Sequence, residues 1–157
     1  MISVLFVCLG NICRSPAAAA VLLYLNEKKE SPIELHVESC GIGSWHVGQL
    51  PTEKMREASE KRGVLLSTRA QQFDPSFLDA FDLVLAADQS VLHELYHYAK
   101  TAEKKAKIHL ITEHSSNYYR EEIPDPYSQG EPAFEIVLDM IEDSCEGLLE
   151  HFKNRAE

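Results

Sequence analysis

The chain has 157 residues, of which 45% are hydrophobic and 25% charged, with a formal net charge of -10. That length suits one domain able to bury a core without staples, and the acidic balance argues against nucleic acid or an anionic membrane as main partner, since both need clustered Lys and Arg. No apolar run approaches the roughly 20 residues of a membrane span, and Met1 leads into a short apolar run without a basic flank or cleavage site, so a cytoplasmic, reducing location is expected, with Cys8, Cys13, Cys40 and Cys145 as thiols.

In chain order, Ile2 to Val7 is nearly continuous apolar sequence, as a central parallel strand covered on both faces should be. Ser15 and Pro16 then supply an N-cap and a first helical residue, and "AAAAVLLYLNEKK" continues as helix. Ile33 to Glu38 alternates apolar with polar and reads as an edge strand; residues 51–62 open on Pro51 and read as a polar surface helix. "FDLVLAAD" (81–88) is a second buried strand ending in Asp88, followed by helix to about Tyr98, and "KIHLI" (107–111) is the fourth strand. "TEHSSNYYREE" is a polar loop. A final helix from about Glu131 puts Phe134, Val137, Leu138, Ile141, Cys145, Leu148, Leu149 and Phe152 on one face. Strands alternating with helices predict an α/β fold, a three-layer α/β/α sandwich with a four-stranded parallel sheet. In such folds ligands bind beyond the carboxyl ends of the strands, where Cys8 and Asp88 both lie.

The stretch "VLFVCLGNICRSP" (4–16) carries the chemistry. A turn entering a helix exposes N–H groups without internal partners, and the helix dipole favours negative charge there. Gly10 and Asn11 tolerate the left-handed backbone that such a loop needs, and the planar fork of Arg14 can hold two phosphate oxygens. Leu9, Gly10, Asn11, Ile12, Cys13, Arg14 and Ser15 thus make an anion cradle, and the same cradle favours the ionised form of a thiol at its centre, making Cys8 a nucleophile beneath a bound phosphate. Cys8 as a plain strand-ending residue does not account for the Gly-Asn bend and the arginine on a helix start. A Cys8/Cys13 metal site lacks partner ligands at suitable spacing, and a nucleotide-binding loop lacks its Gly-Lys-Ser/Thr ending.

On these residues the chain resembles the low-molecular-weight protein tyrosine phosphatases, whose signature is V-C-x-G-N-x-C-R-S-P; "DPY" at 125–127 and the overall length extend the likeness over essentially the whole chain. The resemblance implies hydrolysis of phosphotyrosine in protein substrates through a cysteinyl-phosphate on Cys8, with Arg14 and the loop N–H groups holding the equatorial oxygens and no metal or other cofactor required. It further implies that Asp125 is the general acid and then the base, that Ser15 donates to the Cys8 sulfur, and that Asn11 holds the loop. By the same likeness Trp45 and Tyr127 wall the substrate cleft, and Ser39 and Asp88 support the loop and the acid. Cys13 stands either as a redox partner of Cys8 or as a buried structural thiol, and Cys40 and Cys145 read as packing residues.

Two positions depart from the family pattern. Thr68 stands where a histidine helping to hold the loop asparagine is expected, so that network must differ, and Ser128 replaces the family's second tyrosine. An arsenate reductase of the same fold would need two further cysteines after the third strand, and "AADQSVLHELYHYAK" has none. Protein arginine phosphatases tend to carry Thr directly after the nucleophile and Phe after Asp-Pro; Leu9 and Tyr127 favour an aromatic substrate instead. A non-catalytic phosphopeptide-binding module would have no use for the thiol or for Asp125. The sequence leaves the oligomeric state open.

Overall fold

The computed structural model describes residues 1–156. Its strands are β1 (Ile2–Cys8), β2 (Leu35–Gly41), β3 (Leu83–Ala86) and β4 (Ile108–Leu110). They form one all-parallel sheet in the order β2-β1-β3-β4. The helices are α1 (Arg14–Glu27), α2 (Glu53–Lys61), α3 (Phe77–Ala80), α4 (Gln89–Tyr98), α5 (Ala102–Lys105) and α6 (Glu131–Ala156), with a 3-10 turn at Ile111–His114.

β1 is central, and its side chains alternate between two cores, as the two-residue period of a strand requires. Val4, Phe6 and Cys8 join the core beneath α1, α2 and α6, whereas Leu5 and Val7 join Leu78, Val91 and Leu95 on the opposite face. These two cores make the chain a three-layer α/β/α sandwich. All eight residues expected on the buried stripe of the last helix, from Phe134 to Phe152, are at most 3% exposed. No helix among the described residues is long and apolar enough to cross a membrane.

Three local expectations change. The edge strand runs over Leu35–Gly41 rather than Ile33–Glu38. Asn26 clamps the main chain of Ile33 through its amide, donating to the carbonyl at 2.7 Å and accepting the N–H at 3.0 Å, so pairing starts later. The strand then runs on until Gly41 pairs with Cys8. Helix α1 starts at Arg14 with Cys13 as its N-cap residue, not at Pro16 with Ser15 as cap, because the Ser15 hydroxyl is engaged elsewhere. The polar loop after β4 opens with the 3-10 turn.

Candidate active site

β1 ends at Cys8 and the chain reverses into α1 through residues 9–13. Asn11 makes the reversal possible with a left-handed φ of 59°, a conformation Asn tolerates better than most residues bearing side chains. Its N–H thereby points at Cys8 Sγ, 3.2 Å away, and Ser15 Oγ lies 3.0 Å from the same sulfur. The N–H groups of Leu9, Gly10, Ile12, Cys13, Arg14 and Ser15 donate to no acceptor of the chain among the described residues. A thiol, a run of free donors and a helix N-terminus therefore converge, as oxyanion binding requires. Gly10 does not use the left-handed freedom expected of it. Its role is steric: a Cβ there would lie 3.0 Å from Cδ2 of His46, whose ring rests on the loop.

The Asn11 side chain, 2% exposed, locks the turn from inside. Its amide donates to Ser15 Oγ at 2.7 Å and Ser39 Oγ at 2.9 Å, and its carbonyl accepts the Gln71 N–H at 3.0 Å. The Gln71 side chain in turn donates to the Ser39 carbonyl at 2.9 Å. Main chain at Gln71 thus supplies the third tie on Asn11, while Thr68 is solvent-exposed. Gly41 completes the support, since a Cβ there would stand 2.8 Å from the Gly10 carbonyl carbon and 2.9 Å from the Asn11 nitrogen. Only glycine lets β2 close on the loop so tightly.

Arg14 is 2% exposed and held on three sides. One terminal nitrogen donates to Asp88 Oδ2 at 2.7 Å and to the Ile123 carbonyl at 2.9 Å; the other lies 3.7 Å from Asp125 Oδ2. Burial opposes the guanidinium charge, but the Cys8 sulfur, Asp88 and Asp125 outweigh it and raise the Arg14 pKa above its ordinary value. Asp88 does double duty: its other oxygen accepts the Val91 N–H at 2.9 Å and caps α4. Asp125 is 44% exposed, and Oδ1 accepts the Tyr127 N–H at 3.0 Å, so its own turn orients the carboxyl. Asp88 therefore touches Arg14 directly and meets Asp125 only across that arginine.

Cys13 borders the same cavity as Cys8 but bonds to α2 and not to Cys8. Its thiol contacts Thr52 Oγ1 at 3.4 Å, and burial pushes its pKa up to about 11. Thr52 also caps α2 and donates its N–H to the Ile12 carbonyl at 2.9 Å, so α2 docks on the loop through one residue. All four cysteines are free and buried. Burial raises the pKa of Cys40 and Cys145 well above the ordinary thiol range.

Above the cradle lies a cavity of about 90 Å³ lined by Cys8, Leu9, Gly10, Ile12, Cys13, Arg14, Trp45, His46, Asp125 and Tyr127. Trp45 and Tyr127 both border it, with no direct ring contact between them among the described residues. Trp45 is 67% exposed and its ring lies over Gly43, where a Cβ would meet it at 1.8 Å. The ring opposite Tyr127 is that of His46, with centroids 5.8 Å apart and an interplanar angle of 51°. His46 Nδ1 pairs with Gln49 Oε1 at 2.9 Å. His46, Gln71, Gly41, Thr52 and Ile123 carry no motif in the sequence; adjacency to Trp45 is the one available signal, for His46. Among the described residues, no three His, Cys, Asp or Glu side chains are grouped to hold a metal ion.

This geometry has close counterparts. The family model for low molecular weight phosphotyrosine protein phosphatase matches residues 3–157. The low molecular weight protein-tyrosine-phosphatase YfkJ of Bacillus subtilis is 37% identical over 150 residues, covering 95% of this chain and 94% of its own. A protein tyrosine phosphatase of Entamoeba histolytica, solved with Hepes in its active site, superposes with a TM-score of 0.93 at 32% identity, covering 100% of both chains. The Drosophila arginine phosphatase DARP superposes with a TM-score of 0.87 at 35% identity over 96% of this chain and 97% of that one. A cysteine cradle on a parallel sheet, matched by these relatives from end to end, establishes that the chain belongs to the low-molecular-weight protein tyrosine phosphatase family.

Proposed function

We propose that this protein hydrolyses phosphotyrosine in protein substrates, acting as a single cytoplasmic domain with Cys8 as nucleophile, Arg14 as phosphate clamp and Asp125 as acid and base. One observation carries the reading: Cys8, in a loop whose N–H groups are left without chain acceptors, lines the same small cavity as Arg14 and Asp125. In the first step the Cys8 sulfur attacks phosphorus, the P–O bond to the tyrosyl oxygen breaks, and protonated Asp125 gives that oxygen its proton. Arg14 and the loop amides take up the charge on the three equatorial oxygens. Next, water attacks phosphorus and passes a proton to the Asp125 carboxylate. The S–P bond breaks, phosphate leaves, and Ser15 Oγ, 3.0 Å from the sulfur, donates to the departing thiolate. Cys13 stands by as a thiol whose hydrogen-bond partner is Thr52.

The Drosophila relative named as an arginine phosphatase brings phosphoarginine into view as a second substrate. Leu9, 44% exposed, and Tyr127, 56% exposed, offer an apolar rim suited to an aryl group rather than a guanidinium. The test is hydrolysis of a phosphotyrosine peptide and of p-nitrophenyl phosphate under reducing conditions, with and without chelator, beside a phosphoarginine-bearing protein. Chelator-resistant activity on the aryl esters is expected, abolished in Cys8→Ser and reduced roughly a hundredfold or more on phosphotyrosine in Asp125→Ala. An inactive wild type that still bound phosphate would overturn the enzyme reading. Faster turnover of phosphoarginine would transfer the assignment to that substrate.

A further inference from the structure

Asp125 itself is exposed, yet the segment leading to it is tied down residue by residue. The Thr112 hydroxyl donates to the Glu121 carbonyl at 2.6 Å, Ile123 donates its N–H to the Ala87 carbonyl at 2.9 Å, and Arg14 donates to the Ile123 carbonyl. Between them a Glu122 carboxylate oxygen accepts the N–H of Gln89, the first residue of α4, at 3.0 Å. That amide is one of the donors a helix leaves without an internal partner, and an anion there is favoured by the helix dipole. The same helix start carries Asp88, the partner of Arg14. Past Ile123, the next hydrogen bond of the segment is the local turn between Asp125 and Tyr127.

We propose that Glu122 is a positioning residue for Asp125, holding the acid-bearing segment in register with the helix start that orients Arg14. The inference rests on the reading of Asp125 as general acid. Phosphate binding is the work of the cradle, which Glu122 does not touch, so its loss falls on proton delivery and not on the anion site. A phenolate leaving group needs that proton, whereas p-nitrophenolate departs well without it.

The experiment compares kcat/KM for phenyl phosphate and p-nitrophenyl phosphate in the full chain, for wild type, Glu122→Ala, Glu122→Gln, Asp125→Ala and the double variant Glu122→Ala/Asp125→Ala. Inhibition by vanadate reports whether the cradle is intact in each. Glu122→Ala should lose about tenfold on phenyl phosphate and no more than about threefold on p-nitrophenyl phosphate, with vanadate inhibition unchanged. Glu122→Gln keeps an acceptor for the Gln89 N–H and should stay within about twofold of wild type on both esters. The double variant should match Asp125→Ala alone. Equal losses on the two esters, weakened vanadate inhibition, or a further loss in the double variant would overturn the positioning role. If Asp125→Ala also lost equally on both esters, the acid assignment would fall, and this inference with it; a selective loss in Asp125→Ala alone would sink only the role of Glu122.

Discussion

Replacing Asn11 separates the two jobs that this residue does. Its side chain makes three hydrogen bonds in a site where it is 2% exposed, to Ser15, Ser39 and the Gln71 main chain. At about 1 kcal/mol net for each, their loss costs about 3 kcal/mol. Its backbone also sits at φ 59°, where a residue with a Cβ other than Asn or Asp bears about 1–2 kcal/mol of strain. Asn11→Ala should therefore lose about 4 kcal/mol or slightly more, a large part of the ~5–15 kcal/mol typical of a domain. Asn11→Gly loses the same hydrogen bonds without the strain, less the extra chain entropy of glycine in the unfolded state. It should thus remain about 0.5–1 kcal/mol more stable than Asn11→Ala. Urea unfolding at neutral pH, with vanadate inhibition of the folded fraction, measures both effects. If Asn11→Ala matched or exceeded Asn11→Gly in stability, the left-handed constraint would be wrong. If both lost less than about 1 kcal/mol, the buried network would not be what holds the loop.

Two further outcomes follow from the packing. Gly41→Ala places a methyl 2.8 Å from main-chain carbon of the cradle; because neither backbone can yield without moving the N–H groups, affinity for inorganic phosphate should fall about tenfold or more, and unchanged product inhibition would refute the close approach. His114 and His151 stack at 3.9 Å between centroids, and each has a lowered pKa, His114 through burial and then the neighbouring His151, His151 through burial and then Arg155. Above the ordinary histidine value of about 6.5 both states of the chain are neutral at these rings; as pH falls below it the unfolded chain takes up protons that the folded pair resists, so stability is lost through the folded pKa values. His151→Phe, which keeps a ring in the stack, should flatten the fall in urea midpoint between pH 7.5 and 5.5, and an unaltered slope would count against the pair as its source.

The order of strands and helices was legible because burial leaves a periodic trace. The continuous apolar run of β1 and the helical stripe from Phe134 to Phe152 each repeat a chemical choice that the two cores impose. Element ends were less legible, since side-chain bonds from distant residues decide them. Asn26 delays β2 by holding Ile33, and Ser15 abandons its capping role because Cys8 and Asn11 claim the hydroxyl. The short helices α3 and α5, four residues each, are too brief to show a period.

By itself, the sequence determined the chemistry that is contiguous along the chain: a thiol, a bend, an arginine and a helix start within eight residues, and an Asp-Pro-Tyr turn far downstream. Local geometry suffices for that cradle, because the donors and the dipole belong to one turn and its helix. Only the tertiary structure decided what holds it and what faces it. Gln71 reaches Asn11 across 60 positions, Ile123 reaches Arg14 across 109, and His46 rather than Trp45 meets the Tyr127 ring. Two of these ties use main-chain atoms, which all residues but proline carry alike, and the third depends on how two loops lie against each other, so no residue type announces them.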